Sequence, residues 1–287
     1  MTTPNILTDT TPVVDDDRPT LVHSVITDAW GLFFAQGGVV MAAALRAMEA
    51  VLGRDDLTLA SASATYCRPV ACGPVTTSVQ VLRNGRSAAQ VQGLLRDATA
   101  PDDEVSVVIS GVFTNPDLPG PFLAPLPLPV EFEELPTPLE PGSTSMAADV
   151  DFPLGFLDNT EWQVAAGSDL TRQREEPVPR LAGWFRFTDP PAAEGVEWDP
   201  ALLAIPGDAL GSPLVVALGD GAEPVGSVSL QIDVQVVAPV TGTWIGIDST
   251  CTHIGNGLAN GVLHLWSETG AHVATVTQTA MLRSLRG

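Results

Sequence analysis

One pattern occurs twice in this chain, 170 positions apart, and it limits the fold more than any other feature. Pro69 and Pro239 are separated by 170, and so are Gly85 and Gly255, each glycine at a strand-joining turn. Tyr66–Gly73 parallels Val236–Gly242, Ser87–Arg96 parallels Gly257–Trp266, and Glu104–Phe113 parallels His272–Met281. A repeat this long implies two similar domains and not a short-period solenoid. The second copy is the clearer one. Gly226–Val237, Gly242–His253, Gly257–Ser267 and Ala271–Leu282 read as four consecutive strands. Ala238-Pro239, Gly255-Asn256-Gly257 and Glu268-Thr269-Gly270 separate them as turns, which predicts an antiparallel meander. Thr250 and Gln278 are polar residues within its apolar alternation, and a polar side chain there needs a partner or a purpose.

The first copy adds a helix. Gly37-Gly38 opens an apolar stretch that runs to Leu52 and stops at Gly53. Met41, Leu45, Met48 and Leu52 form one stripe, with Val40, Ala44, Ala47 and Val51 beside it. Only Arg46 and Glu49 interrupt the apolar surface, so the helix must be wrapped and its stripe reads as core. Thr20–Thr27, Leu57–Tyr66, Val75–Arg83, Ser87–Arg96 and Glu104–Phe113 are the strands available to wrap it. In the second copy Phe156–Ala166 and Arg180–Thr188 read as strands. Asp199-Pro200 starts a helix over Ala201–Leu210 that Pro206-Gly207 should break or kink. Residues 115–142 carry nine prolines and four glutamates and predict an extended connector outside the sheets. The expected organisation is a flexible tail at 1–18, a domain at 19–114, a Pro-rich linker at 115–150 and a second domain at 151–287.

Charge narrows the choice of partners. The formal net charge is −21, and no lysine occurs, so all 13 basic side chains are arginine. A field of that sign opposes nucleic-acid phosphates and anionic membrane surfaces, and anionic small ligands as well unless local arginines reverse it. The three cysteines, Cys67, Cys72 and Cys251, have no metal-ligand spacing, and a reducing, cytoplasmic setting suits them. His23, His253, His264 and His272 are scattered, and no metal site is expected. The opening residues do not read as a signal peptide, and no apolar run reads as a bilayer span.

A helix wrapped by an antiparallel sheet, present twice, resembles the double hot-dog fold of the acyl-CoA thioesterase II family. Phe33-Phe34-Ala35-Gln36-Gly37-Gly38 is similar to that family's helix entry. Tyr66-Cys67-Arg68-Pro69-Val70 resembles its aromatic-x-Arg-Pro strand end, and Val81-Leu82-Arg83-Asn84-Gly85-Arg86-Ser87 its Leu-Arg-x-Gly-Arg-Ser turn. Trp184-Phe185-Arg186, Asp248-Ser249-Thr250 and Val276-Thr277-Gln278 resemble three of its strands. The likeness covers about residues 20–283. It implies an α+β double hot-dog whose two sheets pair into one. It also implies hydrolysis of acyl-CoA to a free acid and CoA, with no cofactor and frequent homo-oligomerisation. An Asp, a Thr and a Gln of the second half hold the attacking water in that family, and amides at a helix start receive the oxyanion.

Carried onto this chain, the resemblance assigns Thr250 and Gln278, and puts Gln231 where the family has its Asp. An amide takes up no proton at neutral pH. Asp233, two residues on, then becomes the substitute carboxylate if a slip or bulge turns it inward; otherwise it is a solvated strand residue. Gly38 is either the oxyanion donor or part of a tight turn into the helix. Arg68, Arg83 and Arg86 are the candidates for the CoA phosphates, with surface solvation as the other reading. Two functions stay open: a thioesterase with an altered water site, and a non-catalytic acyl-CoA binding protein that has lost its acid.

Overall fold

The computed structural model describes residues 3–101, 104–121, 123, 126–132, 135, 154–165, 179–219 and 225–284. The helix entered at Gly37 wins its place by being apolar on nearly every side. It is α2 (Gly37–Leu52), and eleven of its residues are buried, so the sheet has to curve around it. Gly53 ends it in the left-handed conformation at φ 60°, where a side chain would be strained.

Six strands of the first half wrap α2: β1 (Val13–Val14), β2 (Leu21–Ile26), β3 (Thr58–Tyr66), β4 (Gly73–Asn84), β5 (Ala88–Asp97) and β6 (Val107–Thr114). Six more belong to the second half: β7 (Thr160–Val164), β8 (Arg180–Phe187), β9 (Val225–Val236), β10 (Ile245–Gly255), β11 (Leu258–Ser267) and β12 (His272–Ser284). They form one antiparallel sheet in the order β1-β2-β4-β5-β6-β3-β9-β12-β11-β10-β8-β7. The halves join where β3 pairs with β9, from Ser61↔Gln235 to Thr65↔Gln231. That pairing removes two free edges and makes the double hot-dog a single continuous sheet.

The N-terminal segment departs from the flexible tail expected at 1–18. Asn5 caps a one-turn helix, α1 (Ile6–Asp9), and Ile6 is fully buried. Trp30 Nε1 donates to Asp9 at 2.9 Å, and Arg46 donates to the Leu7 carbonyl at 2.9 Å and to Thr10 Oγ1 at 2.6 Å. The Asp/Thr-rich composition concealed one apolar anchor and several fixed polar partners.

The second half departs more. Phe156 belongs to a short helix, α3 (Gly155–Asp158), so the strand there begins only at Thr160. The helix expected over 201–210 becomes a 3-10 turn (Pro200–Leu203), one α turn (α4, Ala204–Gly207), a break at Asp208–Leu210 and a further helix, α5 (Gly211–Leu218). Pro200–Leu218 is long and apolar enough to cross a bilayer by composition, contrary to the sequence reading. Its apolar character matches its place between α2 and the sheet, with Ala201–Gly207 buried.

The connector crosses the outer face of the second half. Phe132 packs edge-on against Trp184 at 5.0 Å and lies over Gly246, and Glu131 pairs with Arg180 at 2.7 Å. Arg180 also binds Asp248 at 2.7 Å, which ties the connector to β10. Residues 136–150 of the expected linker lie outside the described residues.

The α2–second-half contact contains a titrating pair. Arg46 Nε binds Asp199 Oδ2 at 3.0 Å, and Asp199 also accepts from the Ala201 amide. Burial, and then the Asp199 charge, push Glu49 up to about 8. Its folded value exceeds its ordinary one, so the stability it contributes is complete below pH ~4.5 and is lost as pH rises through about 8. Glu49→Gln is therefore expected to melt above the wild type at pH 9 and to converge with it only as pH falls to about 4.5. Parallel melting curves across that range would contradict this.

Candidate active site

One carboxylate, Asp233, was the candidate on β9, but the carboxylate that meets Gln278 comes from the helix break. Asp208 follows α4, and its side chain points at the start of α2. Oδ2 accepts from the Gly38 amide at 3.0 Å and from Gln36 Nε2 at 3.0 Å. Oδ1 accepts from Ser229 Oγ at 3.0 Å and from Gln278 Nε2 at 2.5 Å. Gln278 Nε2 also reaches Ser229 Oγ at 2.8 Å, while its Oε1 accepts from the Leu210 amide at 3.2 Å. Burial pushes Asp208 up to about 6; the bonds from Ser229, Gly38 and Gln278 oppose this and hold the charged form. Tyr66 closes one side, its hydroxyl donating to the Gly37 carbonyl at 2.6 Å.

Strand parity and one bulge explain why these residues meet. On β12 the inward residues are Ala274, Val276, Gln278 and Ala280, so Gln278 enters the interior among apolar neighbours. On β9 Ile232 and Val234 face inward, which leaves Gln231, Asp233 and Gln235 on the other face. The ladder then shifts: Thr279 opposes Gln231, but Ala280 opposes Ser229. The extra residue, Leu230, reverses the facing and brings Ser229 to Gln278. A bulge of the kind considered for Asp233 exists, but it acts on Ser229.

Gln231 and Asp233 thus lie on the outer face. Gln231 Nε2 donates to Asp233 Oδ2 at 3.1 Å, and Thr277 Oγ1 donates to the same oxygen at 3.2 Å. Thr250 is displaced for a similar reason. It pairs with Val262 on the outer face of β10, beside Asp248, while Ser249 faces in and donates to the Leu181 carbonyl at 3.0 Å. Of the residues assigned from sequence, only Gln278 and Gly38 come together. Gly38 arrives in a different capacity: its amide is already held by Asp208. A Cβ at Gly38 would lie 2.3 Å from the Ala204 carbonyl oxygen and 2.6 Å from Ile205 Cα, so the glycine also permits the close crossing of α2 and α4.

The three arginines do not converge. Arg68 follows Tyr66 at the active-site end of the sheet and pairs with Glu104 at 3.5 Å. Arg83 and Arg86 are exposed around the β4–β5 turn, at the far end of β4, whose 12 residues span about 40 Å. Arg54 is fixed beneath that turn by Asn84 Oδ1 at 2.6 Å and the Gly85 carbonyl at 3.1 Å. Among the described residues no group of three or more His, Cys, Asp or Glu side chains is arranged for a metal ion.

An apolar cleft of about 230 Å³ adjoins the break. Ala209, within the Asp208–Leu210 turn, and Gly211, just after it, line the cleft. The constellation is thus a carboxylate poised near neutrality, a hydroxyl and a carboxamide around one point, beside an apolar groove. Such a group can hold a water and take its proton.

The sequence did carry a signal for Asp208. The 170-residue offset that relates Pro69 to Pro239 also relates Gly38 to Asp208, the two helix entries. Asp208 was passed over because it fell within the helix read over Ala201–Leu210, just past the break expected at Pro206-Gly207.

Comparison with known proteins bears on the family. Residues 26–115 match the acyl-CoA thioesterase N-terminal domain, and residues 129–282 match the acyl-CoA thioesterase C-terminal domain. No curated protein sequence matches the chain. Among solved structures, a protein titled as a thioesterase II from Thermobifida fusca is 21% identical, with 99% of each chain covered and a TM-score of 0.74. One titled as a thioesterase from Novosphingobium aromaticivorans is 22% identical, covering 95% of this chain and 98% of that one, with a TM-score of 0.71. Acyl-CoA thioesterase II TesB2 from Mycobacterium marinum is 18% identical, covering 98% and 99%, with a TM-score of 0.69. At these identities the structures share the fold; the domain matches carry the assignment. The chain belongs to the acyl-CoA thioesterase family, with that family's N-terminal domain in its first half and its C-terminal domain in its second.

Proposed function

We propose that this protein hydrolyses acyl-CoA thioesters to a free acid and CoA, with Asp208, Ser229 and Gln278 holding the attacking water. The observation that carries the reading is the convergence of these three side chains beside the cleft, in a chain of this family. The family resemblance calls for an Asp, a Thr and a Gln, and here Ser229 offers the hydroxyl in place of the Thr. In the resting site Asp208 and Gln278 bond to each other, so the water enters between them. Ionised Asp208 takes a proton from it as its oxygen attacks the thioester carbon. Gln278 and Ser229 fix the direction of attack. Collapse of the tetrahedral intermediate expels the CoA thiolate, which picks up a proton, and the acid leaves.

The binding-protein alternative rested on a missing acid. Asp208 removes that premise, since a carboxylate stands against Gln278. The decisive assay mixes the protein with acyl-CoAs and a thiol reagent. Thiol release above background is expected, and Gln278→Ala should reduce kcat about a hundredfold. A wild type that binds acyl-CoA but releases no thiol would overturn the reading.

Arg68 is the arginine placed to meet the CoA phosphates, because it shares the active-site end with Tyr66. Arg68→Ala should raise KM severalfold and flatten its dependence on salt, while Arg83→Ala and Arg86→Ala leave both unchanged. Equal effects at all three would refute this division.

A further inference from the structure

We infer that the cleft beneath α5 is the acyl-chain site, sized for straight chains of about eight carbons, with Trp162 as its fixed wall; this rests on the thioester reading above. The cleft runs from Ala209 and Gly211, next to the Asp208 turn, across the inner faces of β10 and β8 to the edge strand β7. Leu181, Val216 and Ile247 supply its apolar surface. Ser249 is a polar group on the lining, and its hydroxyl is spent on the Leu181 carbonyl at 3.0 Å, which leaves it little to offer a polar ligand. That chemistry suits a hydrocarbon chain.

Trp162 cannot easily move aside. Its ring meets Phe185 edge-on at 4.8 Å, and its Nε1 donates to Thr160 Oγ1 at 3.0 Å. At the rim are Val164 and Val215, respectively 37% and 57% exposed, so a longer chain passes into water there. A cleft of 230 Å³ holds about eight methylene-sized groups if each takes roughly the 30 Å³ of a liquid water. Each carbon buried up to that length adds apolar contact, and each one past the rim adds none.

The test uses straight-chain acyl-CoAs from four to sixteen carbons, reading both thiol release and equilibrium binding. In the wild type kcat/KM and affinity should climb by about fourfold per methylene added inside the cleft, then level off near eight carbons. Val215→Asp, at the exposed rim, should lower octanoyl-CoA affinity and kcat/KM about tenfold and leave butanoyl-CoA unchanged. Trp162→Ala should move the plateau to longer or bulkier chains, and Trp162→Leu serves where the alanine variant is poorly folded. A length profile that is flat, or one that neither Val215→Asp nor a folded Trp162 variant moves, overturns the site. A wild type without thiol release, whose binding still shows the length profile and its shift in Val215→Asp, refutes the hydrolase reading and keeps the chain site.

Discussion

Asp208→Asn is expected to lower kcat by about a thousandfold, because it removes the only carboxylate among the described residues bonded to both Gln278 and Ser229. The pH profile separates a chemical role from a merely structural one. A base works when ionised, so wild-type kcat/KM should rise through about pH 6 and be lost below it. Residual activity in Asp208→Asn should lack that limb. Asp208 also caps α2 through the Gly38 amide, so loss of the cap could itself disturb the site. Asp208→Ser keeps a side-chain oxygen of the kind that caps helices. If Asp208→Ser restores activity, Asp208 is a cap and not a base. If both variants are folded and slow, and the limb near 6 is gone, the water-activating role holds. Retention of the limb in Asp208→Asn would assign it to another group.

Gly38→Ala should be the most damaging single methyl group in the first half. The added carbon would lie 2.3 Å from the Ala204 carbonyl oxygen and 2.6 Å from Ile205 Cα, both of them backbone. Neither can rotate away, so α2 and α4 must separate. Overpacking of this kind costs about 3 kcal/mol, equivalent to roughly a 5 °C fall in Tm for a chain of this size. Activity should fall with it, since the shift parts the Gly38 amide from Asp208. Gly53→Ala is a useful comparison, because its Cβ would meet nothing within 4 Å and its only cost is the positive φ. Thermal melting of the two variants checks this: equal midpoints would show that the α2–α4 crossing yields readily.

Local rules sufficed for much of the fold. The apolar stripes of α2 and the stop at Gly53 gave that helix its bounds, Gly37–Leu52. Turn residues separated β9, β10, β11 and β12, and the repeat at 170 implied two domains of one kind. These are properties of a few adjacent residues, and neighbours in sequence are enough to express them. The tail was misread for the opposite reason. Ile6 has no periodic apolar partners along the chain; its partners are in the core, reached only after folding.

The site shows the same division more sharply. Gln278 was legible, because a buried polar residue interrupts a clean alternation on β12. Ser229 was not, because its direction depends on the bulge at Leu230, and a bulge is decided by how β9 pairs with β12. Thr250 and Ser249 are adjacent and both carry hydroxyls; only the pairing of β10 with β8 and β11 decides which one faces the interior. Asp208 depended on both halves at once. Its carboxylate leaves water only because α2 of the first half packs across α4 of the second, and that enclosure is what raises it to about 6. Sequence by itself determined that there are two helix-wrapped sheets and that one glutamine is buried in a strand. The tertiary structure decided which acid and which hydroxyl meet that glutamine, because burial and strand facing are set by contacts between segments far apart in the chain.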